Sequence, residues 1–330
     1  MPLKMDPKTE NQLKKAKYGV FNHSAVQICA WTKKSLHEEG VCYKQKFYGV
    51  ACHRCMEFSP AAAFCENSCI FCWRPMEFMR FRKMKPGEAD EPEAIYEGLM
   101  KERRKLLSGF PGDGKTDIRK HEESLRPAHF AISLSGEPTL YPKLPELVRF
   151  LKSLPETKSV FVVTNGQEPE MLSKLARSPP TQLYISVNAP NKALFKRINR
   201  PVRRDAWPRF VRSLEILSKM KTRRVLRMTM IKGINMDASL AEGYADIIRR
   251  AKPHFVEVKA YMWIGFSRRR LGQENMPLHH DVRSFAEKIA YVTGFSVADE
   301  KSDSRVVLLE NPEEAIEREI RNEKKRYKTG

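Results

Sequence analysis

From about Ala128 onward, short runs of apolar residues alternate along the chain with longer amphipathic stretches. The short runs have the length and the β-branched and aromatic composition of buried strands. They lie at His129–Gly136, Ser159–Gly166, Gln182–Pro190, Arg223–Gly233 and His254–Gly265. The amphipathic stretches repeat apolar residues with the helical period, and one such stretch precedes the first run. Helices are therefore predicted at Pro92–Leu106, Lys143–Ser153, Glu168–Ala176, Trp207–Met220 and Ala238–Ala251.

A further strand is expected at Ala61–Phe64, which brings the pattern to about six consecutive βα units. This alternation predicts an α/β fold with a parallel sheet, either a full or partial β/α barrel or a doubly wound sheet. Both architectures place ligands at the carboxyl ends of the strands. Polar clusters follow three of the predicted strands, at Ser135–Thr139, Thr164–Gly166 and Ser186–Pro190. We therefore expect these clusters to meet on one face of the molecule.

Two segments lie outside this repeat, within what we expect to be one large domain. Residues 1–60 lack a clear period and are expected to form an irregular, cysteine-bearing N-terminal cap over the strand ends. Residues 61–300 then form the core. Residues 301–330 are expected to form a C-terminal helical extension, in which Glu313–Gly330 is a charged helix that ends in a basic tail.

The charge of the chain indicates a partner. Lys and Arg number 60 against 40 Asp and Glu, which gives a net charge of +20. An excess of this size favours a polyanion such as nucleic acid, because a thermophile surface rich in both signs tends to balance them. The apolar runs are far shorter than the roughly 20 residues that cross a bilayer, and the N-terminus lacks the apolar core of a signal peptide. We expect a cytoplasmic protein with no membrane partner.

All seven cysteines lie in the first 72 residues, which favours a metal site over scattered disulfides. Three of them, Cys65, Cys69 and Cys72, follow the spacing C-x3-C-x2-C. Three thiolates on one short loop can hold three corners of an iron-sulfur cluster and leave the fourth iron open. The competing interpretation is a zinc site, although zinc sites usually pair two C-x2-C or C-x4-C knuckles. Candidates for its remaining ligand are His53, Cys52 and Cys55.

With Phe71, the three cysteines form a C-x3-C-x-aromatic-C motif that resembles the signature of the radical S-adenosylmethionine superfamily. The resemblance implies a partial (β/α)6 barrel and a 4Fe-4S cluster whose open iron binds S-adenosylmethionine. It also assigns Gly136 and Glu137 to the methionine amino group, at the place of the family's Gly-Gly-Glu element. The alternative is a simple turn in which Glu137 caps the next helix. By topology alone, the cofactor role extends to Thr164, Asn165 and Asn188.

A second set of cysteines, Cys29, Cys42 and Cys55, has twelve residues between successive members. Together with "FCENSCIFCWRP" and "SLSGEPTLYPKL", this arrangement resembles the archaeal 4-demethylwyosine synthase family of tRNA-modifying enzymes over nearly the whole chain. The resemblance implies that these three cysteines hold a second 4Fe-4S cluster. Cys52 stands close to Cys55 in "CHRC", so an exchange of these two ligands is the main alternative.

In that family, pyruvate supplies two carbons to the tricyclic base built on N1-methylguanosine at position 37 of tRNA-Phe. The resemblance therefore implies the anticodon loop of tRNA-Phe as a partner and pyruvate as co-substrate. Because the chain lacks the flavodoxin-like domain of eukaryotic relatives, it also implies an external electron donor. Lys44, two residues after Cys42, is the candidate for a Schiff base with pyruvate, and Lys46 is a weaker one. A solvated lysine is the alternative for both, and the protein is expected to be a monomer.

Basic residues gather in three segments, Arg80–Lys85, Lys196–Arg204 and Ser267–Gly272, each after or near a predicted strand end, where the cavity is expected to open. They are candidates for contacts with tRNA phosphates, while nearby aromatic side chains are candidates to stack an extruded base. The aromatic candidates are Trp73, Tyr261 and Trp263. Two other functions stay open: a radical S-adenosylmethionine activase or maturase that acts on a protein, and a non-catalytic, zinc-stabilised RNA-binding protein.

Overall fold

The computed structural model describes residues 2–320, which form one ten-stranded sheet in the order β1-β2-β3-β4-β5-β6-β7-β8-β10-β9. The strands are β1 (Tyr18–Phe21), β2 (Ser24–Gln27), β3 (Cys55–Ser59), β4 (His129–Ile132), β5 (Ser159–Thr164), β6 (Gln182–Val187), β7 (Arg223–Met230), β8 (Phe255–Ala260), β9 (Ser296–Lys301) and β10 (Val306–Glu310). The helices are α1 (Pro7–Lys15), α2 (Ala30–Leu36), α3 (Tyr43–Tyr48), α4 (Pro92–Leu107), α5 (Ile118–Ser124), α6 (Leu144–Ser153), α7 (Pro169–Leu175), α8 (Lys192–Asn199), α9 (Ala206–Lys219), α10 (Ala241–Ala251) and α11 (His279–Thr293).

Strands β3 to β8 are consecutive parallel neighbours, and a helical segment follows each of them. Alternate strand residues face these helices in the main hydrophobic core, as Ile132, Val162 and Ile185 do. Burying each of these apolar side chains stabilises the fold by roughly 1.5–3 kcal/mol. A slip of one residue would turn them to the other face of the sheet, so their burial fixes the register of the strands. The predicted repeat of six βα units is confirmed, as an α/β fold of the partial (β/α)6 barrel class.

The other face of the sheet packs around the short helix α3. Phe161, Tyr184 and Phe255 project from three strands into a second core with α3 residues Tyr43 and Tyr48. Strands covered on both faces are apolar almost throughout, which explains why they appear in the sequence as continuous runs. This packing places α3 inside the barrel, against the concave face of the sheet, next to the candidate site.

The N-terminal predictions need two corrections. The strand predicted at Ala61–Phe64 is wrong, because β3 ends at Ser59 and Pro60 has no N–H to continue the ladder. Residues 61–64 instead form a turn closed by the Phe64 N–H on the Ala61 carbonyl at 3.0 Å. The irregular structure predicted for residues 1–60 is also wrong over residues 2–60, since β1 and β2 form an antiparallel hairpin that extends the sheet beside β3. Strands of four residues are too short to show a period.

The predicted C-terminal helical extension is also wrong within the described residues. Beyond residue 301 the chain forms β10, an apolar strand that pairs antiparallel with both β8 and β9. Residues 315–320 are not helical, because Arg223 donates to the carbonyls of Glu317 and Arg318 at 2.6 Å each. The predicted basic tail, residues 321–330, lies outside the described residues. Within residues 2–320, no helix is long and apolar enough to cross a membrane.

Candidate active site

The first group of thiols lies on the loop that follows β3. Cys65, Cys69 and Cys72 are free, and burial raises the pKa of each thiol. The Cys65 N–H donates to the Arg80 carbonyl at 3.2 Å, and the Cys72 N–H donates to the Cys69 carbonyl at 3.0 Å. Arg270 donates to the carbonyl of Cys72. Three half-buried thiols held by fixed backbone contacts fit the demands of an iron-sulfur cluster, which binds them as thiolates.

Gly136 lies directly beneath this loop, after β4. Its φ of +72° falls in the left-handed region, and a Cβ there would stand 2.6 Å from the Phe64 carbonyl oxygen. The same Cβ would overlap the Ala61 carbonyl oxygen. A side chain is therefore excluded by both backbone conformation and space. Glycine at this position lets the turn after β4 touch the backbone that leads into the cysteine loop.

Glu137 joins the ends of β4 and β5. Its Oε1 accepts from the Thr164 hydroxyl at 2.7 Å and from the Thr139 hydroxyl at 2.6 Å, and its Oε2 accepts from the Asn165 N–H at 2.8 Å. Burial raises the pKa of Glu137. Glu137 also accepts from the Thr139 N–H at 3.1 Å, so the helix-cap interpretation is correct as far as it goes. The structure thus brings Glu137, Thr164 and Asn165 together.

Asn188 is linked to the Cys65–Cys72 loop through Asn199, a residue that no sequence motif indicated. Its Nδ2 donates at 3.0 Å to Oδ1 of Asn199, which itself lies 3.6 Å from the Cys69 sulfur. Oδ1 of Asn188 is buried and has no hydrogen-bond partner within residues 2–320. Asn199 ends α8 and carries no motif of its own, so only the fold reveals its position.

Glu66 is a second missed residue. It is buried beside Cys65, and burial raises the pKa of its carboxyl group to about 8, with the Glu137 carboxylate acting in the same direction. Oε2 accepts from Asn165 Nδ2 at 3.4 Å, while Oε1 has no partner in the described part of the chain. Unpartnered buried acceptors are costly, so those of Glu66 and Asn188 fit a polar ligand that carries an ammonium or hydroxyl groups. S-adenosylmethionine carries both.

The second group of thiols is assembled from three elements. Cys29 precedes α2, Cys42 precedes α3 and Cys55 begins β3, and all three are free. Burial raises the pKa of Cys29 to about 11 and raises that of Cys55, where the neighbouring Cys29 adds to the effect. The pKa of Cys42 is lowered to about 7, first by a hydrogen bond with the Cys52 thiol and then by the charge of Lys44.

Cys52 occupies a different position from Cys55. Its sulfur accepts from the backbone N–H of Cys42 at 3.0 Å, and its own N–H donates to Gln45 Oε1 at 3.1 Å. Cys55 instead has Lys44 and Glu57 among its charged neighbours. These contacts favour Cys55 over Cys52 as the third ligand of the sequence-based set, and the assignment stays a prediction.

Arg103 of α4 supplies a test of whether a cluster fits this second group. Its side chain is fully buried, and burial lowers its pKa to about 10 against the opposing effect of Cys55 and Cys29. Nη2 donates to the Ser124 carbonyl at 3.3 Å, whereas Nε and Nη1 have no partner within residues 2–320. A buried cation needs a compensating negative charge, and an iron-sulfur cluster with three thiolates provides one. Within residues 2–320, no group of three His, Cys, Asp or Glu side chains is arranged to hold a single metal ion such as zinc.

Lys44 lies on the concave side of the sheet, beside this second group. Its Nζ stands 5.0 Å from the centre of the Phe161 ring and 5.1 Å from that of Tyr184. Lys46 differs, because it pairs with Asp299 at 2.8 Å on the exposed side of α3. The solvated-lysine interpretation therefore applies to Lys46, which is exposed, whereas Lys44 is half-buried against two aromatic rings.

Three charged residues inside the barrel were missed in the sequence. Glu257 accepts from the hydroxyls of Tyr43 and Tyr48 at 2.9 Å each and from that of Tyr184 at 3.1 Å. Arg227 and Lys259 project from β7 and β8 beside it, and burial lowers the pKa of Lys259 to about 8. The available signal was a charge inside an otherwise apolar strand, as in "RVLRMTM" and "HFVEVKA".

The three basic segments all contact the Cys65–Cys72 loop. Arg80 and Asn199 accept backbone hydrogen bonds from it, at 3.2 Å and 3.0 Å, and Arg270 donates to it. Trp73, beside the loop, is 40% exposed. Tyr261 is buried at 2% exposure, so its predicted stacking role is wrong. Trp263 is half-buried and donates to the Leu271 carbonyl at 2.8 Å.

Comparison with known proteins identifies the family. The radical SAM superfamily matches residues 60–241, and a family described as wyosine base formation matches residues 250–311. The S-adenosyl-L-methionine-dependent tRNA 4-demethylwyosine synthase of Pyrococcus abyssi is 45% identical over 309 residues, which covers 92% of this chain and 89% of that protein. This chain belongs to the tRNA 4-demethylwyosine synthase family. The synthase of Methanocaldococcus jannaschii is 36% identical, covering 92% of this chain and 96% of its own.

Two solved structures share the fold of this synthase. The structure of TYW1 with a lysine-pyruvate adduct bound is 34% identical with a TM-score of 0.85, and the match covers 96% of this chain and 99% of that one. The crystal structure of archaeal TYW1 is 30% identical with a TM-score of 0.77, over 95% and 99% of the two chains. The protein is a radical SAM enzyme that uses S-adenosylmethionine and a 4Fe-4S cluster. Membership of the tRNA 4-demethylwyosine synthase family replaces the two alternative functions, a protein activase and a zinc-stabilised RNA-binding protein.

Proposed function

We propose that this synthase condenses N1-methylguanosine at position 37 of tRNA-Phe with pyruvate, through Lys44. The observation that carries the proposal is the position of Lys44, on the concave face of the barrel and beside the second group of thiols. A relative that is 34% identical has been solved with a lysine-pyruvate adduct. Lys44 lies on the short helix α3, whose buried residues Tyr43, Phe47 and Tyr48 fix its position, as a covalent catalyst requires.

The residues of the first site divide between the cluster and its ligand. Cys65, Cys69 and Cys72 would hold the 4Fe-4S cluster, and Glu137 would meet the amino group of S-adenosylmethionine. Four further residues would surround the same ligand: Gly136, Thr164, Asn165 and Asn188. When bound, the cluster and S-adenosylmethionine supply a 5'-deoxyadenosyl radical. The chain itself orients the ligand through the contacts that join Glu137 to the ends of β4 and β5.

Lys44 would hold pyruvate by a Schiff base. The neutral amine attacks the ketone carbon of pyruvate, and loss of water leaves a carbon-nitrogen double bond to Nζ. The rings of Phe161 and Tyr184 confine the side chain to one direction, so that the bound pyruvate has a fixed orientation. Return of water releases the amine at the end of the reaction.

Cys29, Cys42 and Cys55 would hold a second 4Fe-4S cluster in this proposal. The support is the gathering of three half-buried thiols from separate elements, next to the Arg103 guanidinium, whose Nε and Nη1 have no partner within residues 2–320. β3 connects the two sites, because Cys55 begins the strand and the Cys65–Cys72 loop follows its end. Cys55 and Ser59 are four positions apart, or roughly 13 Å along an extended strand.

The tRNA would enter over the first site. Arg82, Lys83 and Arg203 are 41%, 55% and 36% exposed on basic segments that contact the cysteine loop. Such side chains suit the phosphates of an anticodon loop, and exposed Trp73 suits a stacked base. The proposal also keeps an external electron donor, a monomer, a cytoplasmic location and the division into residues 1–60, 61–300 and 301–330.

The proposal is tested by comparing Lys44→Arg with Lys46→Arg, a matched change two residues along the same helix. Each anaerobically reconstituted protein receives pyruvate, S-adenosylmethionine, a reductant and tRNA that carries N1-methylguanosine. We expect Lys44→Arg to make no tricyclic base yet still to release 5'-deoxyadenosine, since its first site is unchanged. Lys46→Arg should behave as wild type. Equal product from Lys44→Arg and wild type would remove Lys44 from the mechanism.

A further inference from the structure

The concave face of the barrel carries three cations in one neighbourhood. Lys44 Nζ and Arg227 Cζ both lie against the Tyr184 ring, 5.1 Å and 5.4 Å from its centre. Arg227 Nη1 also reaches the Tyr43 hydroxyl at 3.5 Å, and Lys259 Nζ lies 5.4 Å from the centre of the Tyr43 ring. Two tyrosine side chains therefore connect all three cations.

These cations have no carboxylate partner among residues 2–320. Lys44, Arg227 and Lys259 make no ion pair within 4.0 Å there, and Lys259 instead donates to the Ser304 carbonyl at 2.6 Å. Glu257, which pairs with Arg227 in the strand ladder, already accepts three tyrosine hydroxyls. The other inward carboxylate, Glu57, has Arg74 at 3.9 Å.

Three cations therefore face two acidic neighbours, Glu257 and the Cys42 thiol, so positive charge is in excess here. Lys44, Arg227 and Lys259 are only half-buried, so each keeps part of its side chain accessible to a ligand. A charge in such a place is stable only with a counter-charge or with strong hydrogen bonds. The arrangement therefore calls for a small anion on the concave face, within reach of Lys44.

We propose that Arg227 and Lys259 form the site that binds the carboxylate of the 2-oxo acid, and so determine that the synthase selects pyruvate over neutral carbonyl compounds. The inference rests on the proposed role of Lys44. Lys44 forms the Schiff base with the ketone carbon. The guanidinium of Arg227 offers a planar pair of N–H donors whose geometry matches the two oxygens of a carboxylate. Glu257 positions Arg227 indirectly, by fixing the hydroxyl of Tyr43 between them.

The test measures adduct formation without S-adenosylmethionine or tRNA, so it does not depend on turnover. The reconstituted holoenzyme is incubated with pyruvate or with methyl pyruvate, which has the same ketone but no negative charge. Cyanoborohydride then reduces any Schiff base to a stable secondary amine, and mass spectrometry of the intact protein gives the labelled fraction. The concentration that labels half of the protein is compared between the two ligands and among variants.

We expect wild type to take up pyruvate at about 10-fold lower concentration than methyl pyruvate. Arg227→Met should raise the half-labelling concentration of pyruvate by about 10- to 100-fold, since it removes a charge-assisted hydrogen bond, and leave methyl pyruvate unchanged. Lys259→Met should act in the same direction, and Arg227→Lys should lose less because it keeps the charge. Arg212→Met is the control, because Arg212 lies outside the barrel and pairs with Glu170 at 3.3 Å.

Two results would overturn the inference while leaving the role of Lys44 intact. One is equal labelling by pyruvate and its methyl ester in wild type. The other is that Arg227→Met and Lys259→Met change the half-labelling concentrations of pyruvate and methyl pyruvate by the same factor, or leave both unchanged. Absence of any Lys44-dependent label in wild type would instead contradict the proposed function itself. Iron content and melting temperature, recorded for every variant, identify proteins that have lost the fold.

Discussion

The two groups of thiols in this synthase are built in opposite ways. Cys65, Cys69 and Cys72 share one loop of eight residues, and neighbouring backbone groups hold that loop in place. Cys29 and Cys42 precede α2 and α3 and Cys55 begins β3, so these three thiols become neighbours only in the folded chain. A local site survives small shifts of the surrounding fold, whereas an assembled site depends on each of its supporting contacts. The following predictions test this difference, from the largest expected effect to the smallest.

The largest effect should come from removing one ligand of each group. Wild type should hold about eight irons after reconstitution, and Cys69→Ala and Cys29→Ala about four each. Cys69→Ala should lose both 5'-deoxyadenosine and the tricyclic base, whereas Cys29→Ala should lose only the base. Iron and sulfide analysis with product chromatography measures these outcomes.

Cys52→Ala is the matched control for these two variants. Cys52 is buried and accepts from the Cys42 N–H, but it lies outside the proposed ligand set. We expect about eight irons to remain in Cys52→Ala. A count of about four in Cys52→Ala, with eight in Cys55→Ala, would mean that Cys52 and not Cys55 is the ligand.

The next effect concerns the backbone beneath the first group. Gly136→Ala should lower the free energy of unfolding by about 1–2 kcal/mol for the left-handed φ and by a further 1–3 kcal/mol for the clash with residues 61 and 64. Gly233→Ala is the control, because Gly233 has a similar φ of +75° and nothing within 4 Å of an added Cβ. Urea unfolding compares the two. A loss in Gly136→Ala no larger than in Gly233→Ala would contradict the steric argument.

A smaller effect is expected at Arg103, which belongs only to the second group. Arg103→Met removes a buried cation beside Cys29 and Cys55, and should lower the reduction potential of the proposed second cluster by about 60 mV or more. Arg103→Lys should shift it less, since the charge is kept. Redox titration followed by electron paramagnetic resonance separates the two clusters. If both potentials move together, Arg103 acts through the fold and not through the second site.

The smallest effect concerns pH and the turn that leads to Cys55. His129 Nε2 accepts from the Ala51 N–H at 3.3 Å, and Nδ1–H donates to the Ser159 hydroxyl at 2.7 Å, so the ring is neutral. Burial lowers the pKa of His129 to about 3. Below pH 6.5 the unfolded chain therefore binds the proton more tightly, and stability should fall by about 1.4 kcal/mol per pH unit as pH decreases.

His129→Gln should remove this part of the pH dependence, because glutamine does not titrate in the range. Urea midpoints between pH 7 and pH 5 measure it, with His280→Gln as the control on an exposed histidine of α11. Parallel curves for His129→Gln and wild type would show that other groups cause the loss of stability in acid.

Much of the core could be predicted because each strand and helix carries its own period. Strand β5 and helix α6 begin within one residue of their predicted starts. Glu137, Thr164 and Asn165 meet because each lies at or after the carboxyl end of a parallel strand. The termini were harder. β1 and β2 have four residues each, and the strand character of β10 comes from its place between β8 and β9. Such short segments acquire their structure from neighbours that the local sequence does not contain.

The sequence by itself determined the six βα units, the family and the thiols of the first site, since each rests on residues close together in the chain. Only the tertiary structure decided which lysine faces the interior, because Lys44 and Lys46 differ by less than one helical turn yet point to the barrel and to solvent. It also decided that Arg227, Glu257 and Lys259 share one concave face with Lys44. Charge and hydrogen bonding act through space, and the chain must fold before these groups can meet.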